Sequence, residues 1–288
     1  GMLVVNLVPP GVINIIVDND DLGHLLSGHP DVAKISFTGS TVTGKKVMAN
    51  AADTLKRLTL ELGGNDPAIV LDDAIPSEIS GQLFERAMIN SGQVCVAIKR
   101  LYVPRFMYDE ICAELVAHAN AAKVGDGMDS PSHYGPVQNR RQFERIKELI
   151  VDATRNGALI AGGLPDEDRR GYFIEPTIVR DLSDDSRLVR EEQFGPVLPV
   201  LAYDDVEDAI TRANASVFGL GASVWSRDPA RAEAVAARIQ AGTVWVNRHG
   251  ELSPAIPFCG SKHSGMGTDF SDDGLKGFCQ SVVISVGP

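Results

Sequence analysis

The 288-residue sequence has only four cysteines, Cys95, Cys112, Cys259 and Cys279, and no two of them stand close enough for a CxxC pair. That scarcity excludes a disulfide-stapled secreted scaffold. The six histidines show no metal-like spacing to the cysteines, so no metal is expected and a reducing, cytoplasmic setting fits. A long apolar run is also lacking. The stretch at 2–17 is interrupted by Pro9, Pro10 and Gly11, is too short to cross a bilayer, and has neither the basic start nor the cleavage site of a signal peptide. Basic excess is lacking as well, since 27 Lys and Arg against 38 Asp and Glu leave a formal charge of −11. Nucleic acid and anionic membrane are thereby excluded as main partners, and the acidity serves solubility. No repeat, low-complexity tract or long linker divides the chain. Gly1 ahead of Met2 reads as the residue left by a cleaved tag.

What is present is an ordinary globular composition, 44% hydrophobic and 23% charged, in a length that allows roughly two domains. Apolar β-branched runs alternate with helical patterns. Strands are expected at 12–17, 35–37, 68–71, 100–103, 197–202, 221–225 and 243–247, with helices at 78–90, 106–123, 138–156, 206–215 and 229–239. Gly157 is expected to stop the third of these helices as a left-handed cap, and Pro229 opens the last one. Strand–helix alternation of this kind predicts an α/β fold with a mostly parallel, doubly wound sheet. The run at 281–286 reads as a lone strand whose partner would be another subunit, which implies a homo-oligomer.

Three segments could carry chemistry. Phe37-Thr38-Gly39-Ser40-Thr41-Val42-Thr43-Gly44-Lys45-Lys46 takes a strand through a glycine turn into a helix, where backbone N–H groups can meet phosphate. Ser40 and Thr41 are equally good helix N-caps. The stretch also approaches a triphosphatase phosphate loop, with 68–72 mimicking the metal-binding strand, but Lys46 stands where a Ser or Thr hydroxyl is required. Leu60-Glu61-Leu62-Gly63-Gly64-Asn65 sets a carboxylate between two leucines, and apolar surroundings raise a carboxyl toward the range of a general base. A strand-end glutamate facing water fits the same letters. Ser91-Gly92-Gln93-Val94-Cys95-Val96 puts a cysteine after a glycine turn, as a nucleophile or as an inert core residue.

Together these segments resemble the aldehyde dehydrogenase superfamily, and essentially the whole chain follows that family's order. Cys95 stands 34 residues after Glu61, and Glu191-Glu192-Gln193-Phe194-Gly195-Pro196 and Pro257-Phe258-Cys259-Gly260-Ser261-Lys262 follow downstream. The resemblance implies Cys95 as nucleophile and Glu61 as general base. It implies Gly39 and Ser40 beside the cofactor pyrophosphate, Glu192 on the nicotinamide ribose with Phe194 packed next to it, and Phe258 lining the substrate tunnel. Asp272 falls near a proton-path glutamate, although a solvent-facing loop aspartate is the better reading, and Gln142 and Arg145 fall near occasional ribose or adenine contacts or simply on an exposed helix face. The implied reaction oxidises an aldehyde to an acid with NAD or NADP. A CoA-acylating enzyme and a catalytically silent protein of this fold are the alternatives. Cys259 departs from the family's glycine.

The implied organisation is the C-terminal part of a Rossmann-like dinucleotide-binding domain at 1–61, a catalytic domain at 62–263, and a return segment with an oligomerisation strand at 264–288. Nothing in the sequence matches the family's upstream motifs, which hold an oxyanion asparagine and an adenosine-ribose lysine, so the front of the cofactor domain is expected to be missing.

Overall fold

The structure, a computed structural model, describes residues 6–19, 21–128 and 131–288. The first residues of the apolar stretch at 2–17, Gly1 ahead of it, and Asp129 and Ser130 within the loop at 125–136 lie outside the described residues.

Strands β1 (Lys34–Thr38), β2 (Arg57–Glu61), β3 (Asp66–Val70), β4 (Ile98–Pro104), β5 (Ala158–Ala161), β6 (Thr177–Arg180), β7 (Val197–Tyr203), β8 (Phe218–Gly219), β9 (Gly221–Trp225), β10 (Thr243–Val246), β11 (Ser261–Lys262) and β12 (Gly265–Met266) build three sheets. The large sheet has the order β10-β9-β3-β4-β7-β6-β5 and is parallel except at its edge, where β5 runs antiparallel to β6. A strand covered on both faces needs apolar side chains on both, so these segments read as unbroken apolar runs. Successive residues of β4 illustrate this. Leu101 and Val103 pack with Leu83 and Ile111, whereas Tyr102 between them packs with Ile146 and Leu149. Helices Pro76–Met88 and Tyr108–Ala121 therefore cover one face, and Arg140–Asn156, Val206–Asn214 and Pro229–Ala236 cover the other.

Local chemistry sets the helix starts. Asn139, Asp205 and Asp228 each accept a hydrogen bond from a backbone N–H in the first turn, and Pro229 follows its cap. Within Arg140–Asn156 the buried positions are Ile146, Leu149, Ile150 and Ala153, one stripe at helical spacing. Gly157 differs from expectation, with φ −150° in extended rather than left-handed backbone. A Cβ there would come within 2.6 Å of the Arg180 carbonyl, so it is crowding by the neighbouring strand that selects glycine.

The small sheet positions Glu61. Strands β1 and β2 are parallel, and β12 returns antiparallel on β2 with Gly265 opposite Glu61. Gly265 has φ +143°, and a Cβ there would lie 1.9 Å from the Leu60 carbonyl, so only glycine allows the chain this close. The Leu62 N–H donates to the Ser264 carbonyl at 2.9 Å, closing the corner. Arg57 Nη1 donates to the Gly277 and Cys279 carbonyls at 3.1 and 2.5 Å, which ties the return segment to β2.

Two expected strands do not form. Residues 12–17 and 281–286 join no ladder among the described residues, and Val17, Val282, Val283 and Ile284 are exposed. Their composition suits a strand, but a strand exists only against a partner. The triphosphatase reading also fails. Only Gly39 and Ser40 separate β1 from helix Thr41–Ala52, too short a turn to wrap phosphates, and the supposed metal-binding strand β3 lies in a different sheet from β1.

Arg100, 3% exposed, ties the large sheet to its surroundings. Its guanidinium donates to the Asn65 carbonyl at 2.9 Å, the Tyr102 hydroxyl at 3.1 Å and the Ala213 carbonyl at 3.1 Å. Arg100→Met keeps the stem but orphans these buried acceptors, and should lower stability by about 3 kcal/mol or more. Urea unfolding followed by tryptophan fluorescence checks this, and an unchanged midpoint refutes it.

Candidate active site

Cys95 sits in a loop forced by left-handed backbone. Asn90, Ser91 and Gly92 have φ of 50°, 56° and 70°, and the chain then passes through Gln93 to Ala97 before entering β4. A Cβ on Gly92 would lie 2.1 Å from the Gly195 carbonyl, so this turn packs directly on the segment that carries Glu192 and Phe194. The Cys95 thiol is half-buried, and burial pushes its pKa up. The Lys99 ammonium and the Val96 N–H pull it down, while the Asp66 and Glu192 carboxylates push it up.

Beneath the loop, Lys99 Nζ donates to the Val94 carbonyl at 2.9 Å and the Cys95 carbonyl at 2.7 Å. The Val96 carbonyl lies 2.6 Å from His249 Nε2, and His249 Nδ1 lies 2.9 Å from the Ser223 hydroxyl. A carbonyl can only accept, so Nε2 carries the proton and the neutral ring accepts from Ser223. Burial agrees with that tautomer, pushing His249 down to about 3.

Glu61 ends β2 and is 6% exposed, with neither carboxylate oxygen hydrogen-bonded. Burial, with a smaller contribution from the Asp269 carboxylate, pushes it up to about 8. Two glycines follow it and allow close packing. A Cβ on Gly63 would meet Glu192 Oε2 at 2.4 Å, and one on Gly64 would meet the Cys95 carbonyl at 2.5 Å. The Gly64 N–H donates to Glu192 Oε1 at 2.9 Å, and Lys99 Nζ is 3.9 Å from that same oxygen. The structure thus gathers Cys95, Glu192 and the turn after Glu61 around one point.

Phe258 is buried with Val96, Leu220 and Trp245, against Val94 and Cys95. Cys259 beside it is half-buried, and burial and the Glu61 carboxylate raise its thiol pKa. Gly39 donates its N–H to the Glu61 carbonyl at 3.0 Å, and Ser40 accepts from the Thr43 N–H at 3.2 Å as N-cap of helix Thr41–Ala52. That exposed helix start offers free N–H groups and a hydroxyl suited to a pyrophosphate. Glu192 offers a carboxylate suited to ribose hydroxyls, so the residues present fit the diphosphate and one ribose of a dinucleotide.

Three further residues singled out in the sequence find their places. Gln142 Nε2 donates to the Gln193 and Phe194 carbonyls at 2.7 and 3.1 Å, and Arg145 Nη2 donates to the Glu192 carbonyl at 3.0 Å. Both brace the Glu192–Phe194 segment, in which Phe194 has φ +45°. Asp272 is exposed on helix Ser271–Lys276, whereas Asp269, three residues earlier and backbone-paired to Phe258, is the carboxylate that Glu61 senses. Sequence reasoning missed Asp269 because nothing in its spacing reveals the β12 return that carries it there. Lys99 was missed as well, although a lysine inside the apolar run 96–103 is itself a signal that its charge has a buried task.

The sequence pattern of the aldehyde dehydrogenase family matches residues 3–284. A betaine aldehyde dehydrogenase of Rhizobium etli is 40% identical over 287 residues, covering 98% of this chain and 59% of that protein. Aldehyde dehydrogenase LUC3 of a Fusarium species is 39% identical over 282 residues, covering 96% and 59%. Among solved structures, the NAD+ complex of an aldehyde dehydrogenase from Bacillus cereus superposes with TM-score 0.86 at 40% identity, covering 89% of this chain and 52% of that one. A mutant of aldehyde dehydrogenase C from Pseudomonas syringae, complexed with NAD+ and octanal, superposes with TM-score 0.90 at 36% identity, covering 94% and 56%. The chain spans about 59% of the length of the curated relatives it matches. With these matches running through β1 to β12, the chain belongs to the aldehyde dehydrogenase family.

Proposed function

We propose that the protein of which these residues form the catalytic part oxidises an aldehyde to a carboxylic acid with NAD or NADP, through a thioester on Cys95. The observation that carries this reading is the convergence of the Cys95 loop and the Glu192 carboxylate on the glycine turn that follows Glu61. The NAD+ complexes among the related structures support the cofactor class.

The Cys95 thiolate adds to the aldehyde carbon, and the carbonyl oxygen becomes an oxyanion that needs donors already aimed at it. The nicotinamide, when bound, accepts the hydride that leaves the tetrahedral carbon. Cys95 is then a thioester. Glu61 takes a proton from water, the water oxygen attacks the acyl carbon, and Cys95 departs as thiolate. Glu192 holds the ribose end of the cofactor, Ser40 with the following helix start holds the pyrophosphate, and Phe258 walls the substrate side. The Glu61 base favours hydrolysis over transfer to CoA. The four free cysteines suit a reducing cytoplasm. Among the described residues no helix is long and apolar enough to cross a membrane. The exposed apolar run at 282–286 suits self-association as a homo-oligomer.

In a chain of the relatives' length, Glu61→Gln keeps the shape of the side chain and removes the base. A rapid burst of reduced cofactor should then precede turnover slowed by about 100-fold or more, as acyl-enzyme accumulates. Stopped-flow absorbance reads both phases, and steady-state turnover equal to wild type would refute the role.

The pH dependence follows from the same residue. Glu61 is raised to about 8, so its base form is lost as pH falls below that value. Deacylation should climb between pH 7 and pH 9, with roughly a tenth of Glu61 ionised one unit below its pKa. A turnover profile flat across pH 7–9 would contradict it.

The 288 residues by themselves contain no counterpart of the family's oxyanion asparagine or adenosine lysine. Loss of one oxyanion donor typically costs ~100- to 1,000-fold, and misplacement of the hydride acceptor by about 1 Å can cost ~100-fold. Calorimetric titration with NAD+ should accordingly show weak or no binding, with aldehyde panels yielding little reduced cofactor. Micromolar affinity with sustained turnover would overturn this.

A further inference from the structure

Lys99 is 1% exposed, yet it stands second in β4, the apolar strand that follows Cys95. Its ammonium reaches back to the Val94, Cys95 and Ala97 carbonyls at 2.9, 2.7 and 3.4 Å. Carrying a charge into a core is costly unless several strong acceptors meet it. The charged and titratable groups around it come from every neighbouring element. They are Asp66 at the start of β3, Glu192 ahead of β7, His249 after β10, and Arg100 beside it on β4. Asp66 is fully buried, and a Cβ on Gly64 or Gly221 would collide with its carboxylate.

The geometry has a consequence for the reacting atoms. No cis peptide is present among the described residues, and in a trans peptide the C=O and the following N–H point in opposite directions. Drawing the Val94 and Cys95 carbonyls inward onto Lys99 therefore turns the N–H groups of Cys95 and Val96 away from it. The Val96 N–H is among the groups that favour the Cys95 thiolate. Among the described residues the Cys95 N–H donates to no protein acceptor, which leaves it free for an oxyanion.

We infer that Lys99 is a positioning residue, which holds the nucleophile loop by its carbonyls so that the Cys95 and Val96 N–H groups serve the oxyanion and the thiolate, with Asp66 as its opposing buried charge. The inference rests on Cys95 being the nucleophile. Lys99 itself touches neither substrate nor cofactor. Its cation also favours the thiolate, whereas the Asp66 carboxylate opposes it, so the two residues act on Cys95 with opposite sign.

Alkylation of the 288-residue chain by iodoacetamide, with peptide mapping across pH 6.5–10, reads the Cys95 thiolate directly. Buried Cys112, raised to about 11, and exposed Cys279 are slow and fast references within the same sample. Lys99→Met should shift the Cys95 profile to higher pH and slow labelling at pH 8 by about tenfold, the effect of one pKa unit. Lys99→Arg should recover part of that rate. Asp66→Asn, near-isosteric and neutral, should move the profile the other way above pH 7, where Asp66, raised to about 7, is ionised in the wild type. Opposite shifts support the inference, because mere loosening of the loop would move both variants alike. Superimposed profiles, or shifts of the same direction, overturn it. Should Lys99→Met not fold, Asp66→Asn decides alone, and an unmoved profile overturns the inference. The readout needs no cofactor or turnover, so an inactive full-length enzyme with opposite labelling shifts would fault the proposed reaction but not the placement of Lys99.

Discussion

Gly63 and Gly64, two residues without side chains, carry the backbone out of the small sheet and into the large one. Their emptiness allows three charged or reactive groups to approach one stretch of main chain. Glu192 fills the space beside Gly63, while the Cys95 carbonyl and the Asp66 carboxylate fill the space beside Gly64. The Gly64 N–H then fixes the Glu192 carboxylate by a hydrogen bond. A single methyl group at either position would drive the Glu192 carboxylate or the Cys95 loop away from this turn. The parallel strands, their helices and the β12 return all serve to bring these partners to that turn.

Much of this arrangement was legible in the sequence for reasons that can be named. Strands buried on both faces must be apolar throughout, so the segments around Ile69, Leu101 and Val224 stood out. Helix Arg140–Asn156 was visible from its stripe of buried residues. Taken alone, Cys95 and Glu61 fit a core cysteine and a strand-end glutamate, and only the order of the segments along the chain, matching a known family, singled them out. Other features depend on distance in the fold rather than on local pattern. The bracing of Glu192 by Gln142 and Arg145 joins residues about fifty positions apart, and the pairing of β5 with β6 is an antiparallel edge that strand–helix alternation does not announce. Asp269 rather than Asp272 reaches Glu61 because the chain turns at Gly265, and that turn answers to the Leu60 carbonyl opposite it. The runs at 12–17 and 281–286 have strand composition without a strand's partner, which composition alone does not reveal.

The electrostatics of the site follow from scarcity of water rather than from abundance of charge. Glu61, Asp66 and Glu192 are all raised above the ordinary carboxylate range, in each case chiefly by burial. Lys99 is the cation that faces both of the latter two, and burial keeps His249 neutral. Low local polarity magnifies each of these interactions, so small displacements change protonation as well as distance.

Glu61 and Cys95 belong to different sheets. Glu61 is mounted on β2, and Cys95 precedes β4, with only the diglycine turn and β3 between their supports. On the proposed reaction, addition of the thiol to an aldehyde draws on the Cys95 loop, which leads into the large sheet. Hydride transfer and deacylation draw on the small one as well, through Ser40 after β1 and Glu61 at the end of β2. Slippage between the two sheets would therefore leave the first capture of aldehyde intact while throttling the steps after it, making those the mechanically fragile part of the proposed cycle.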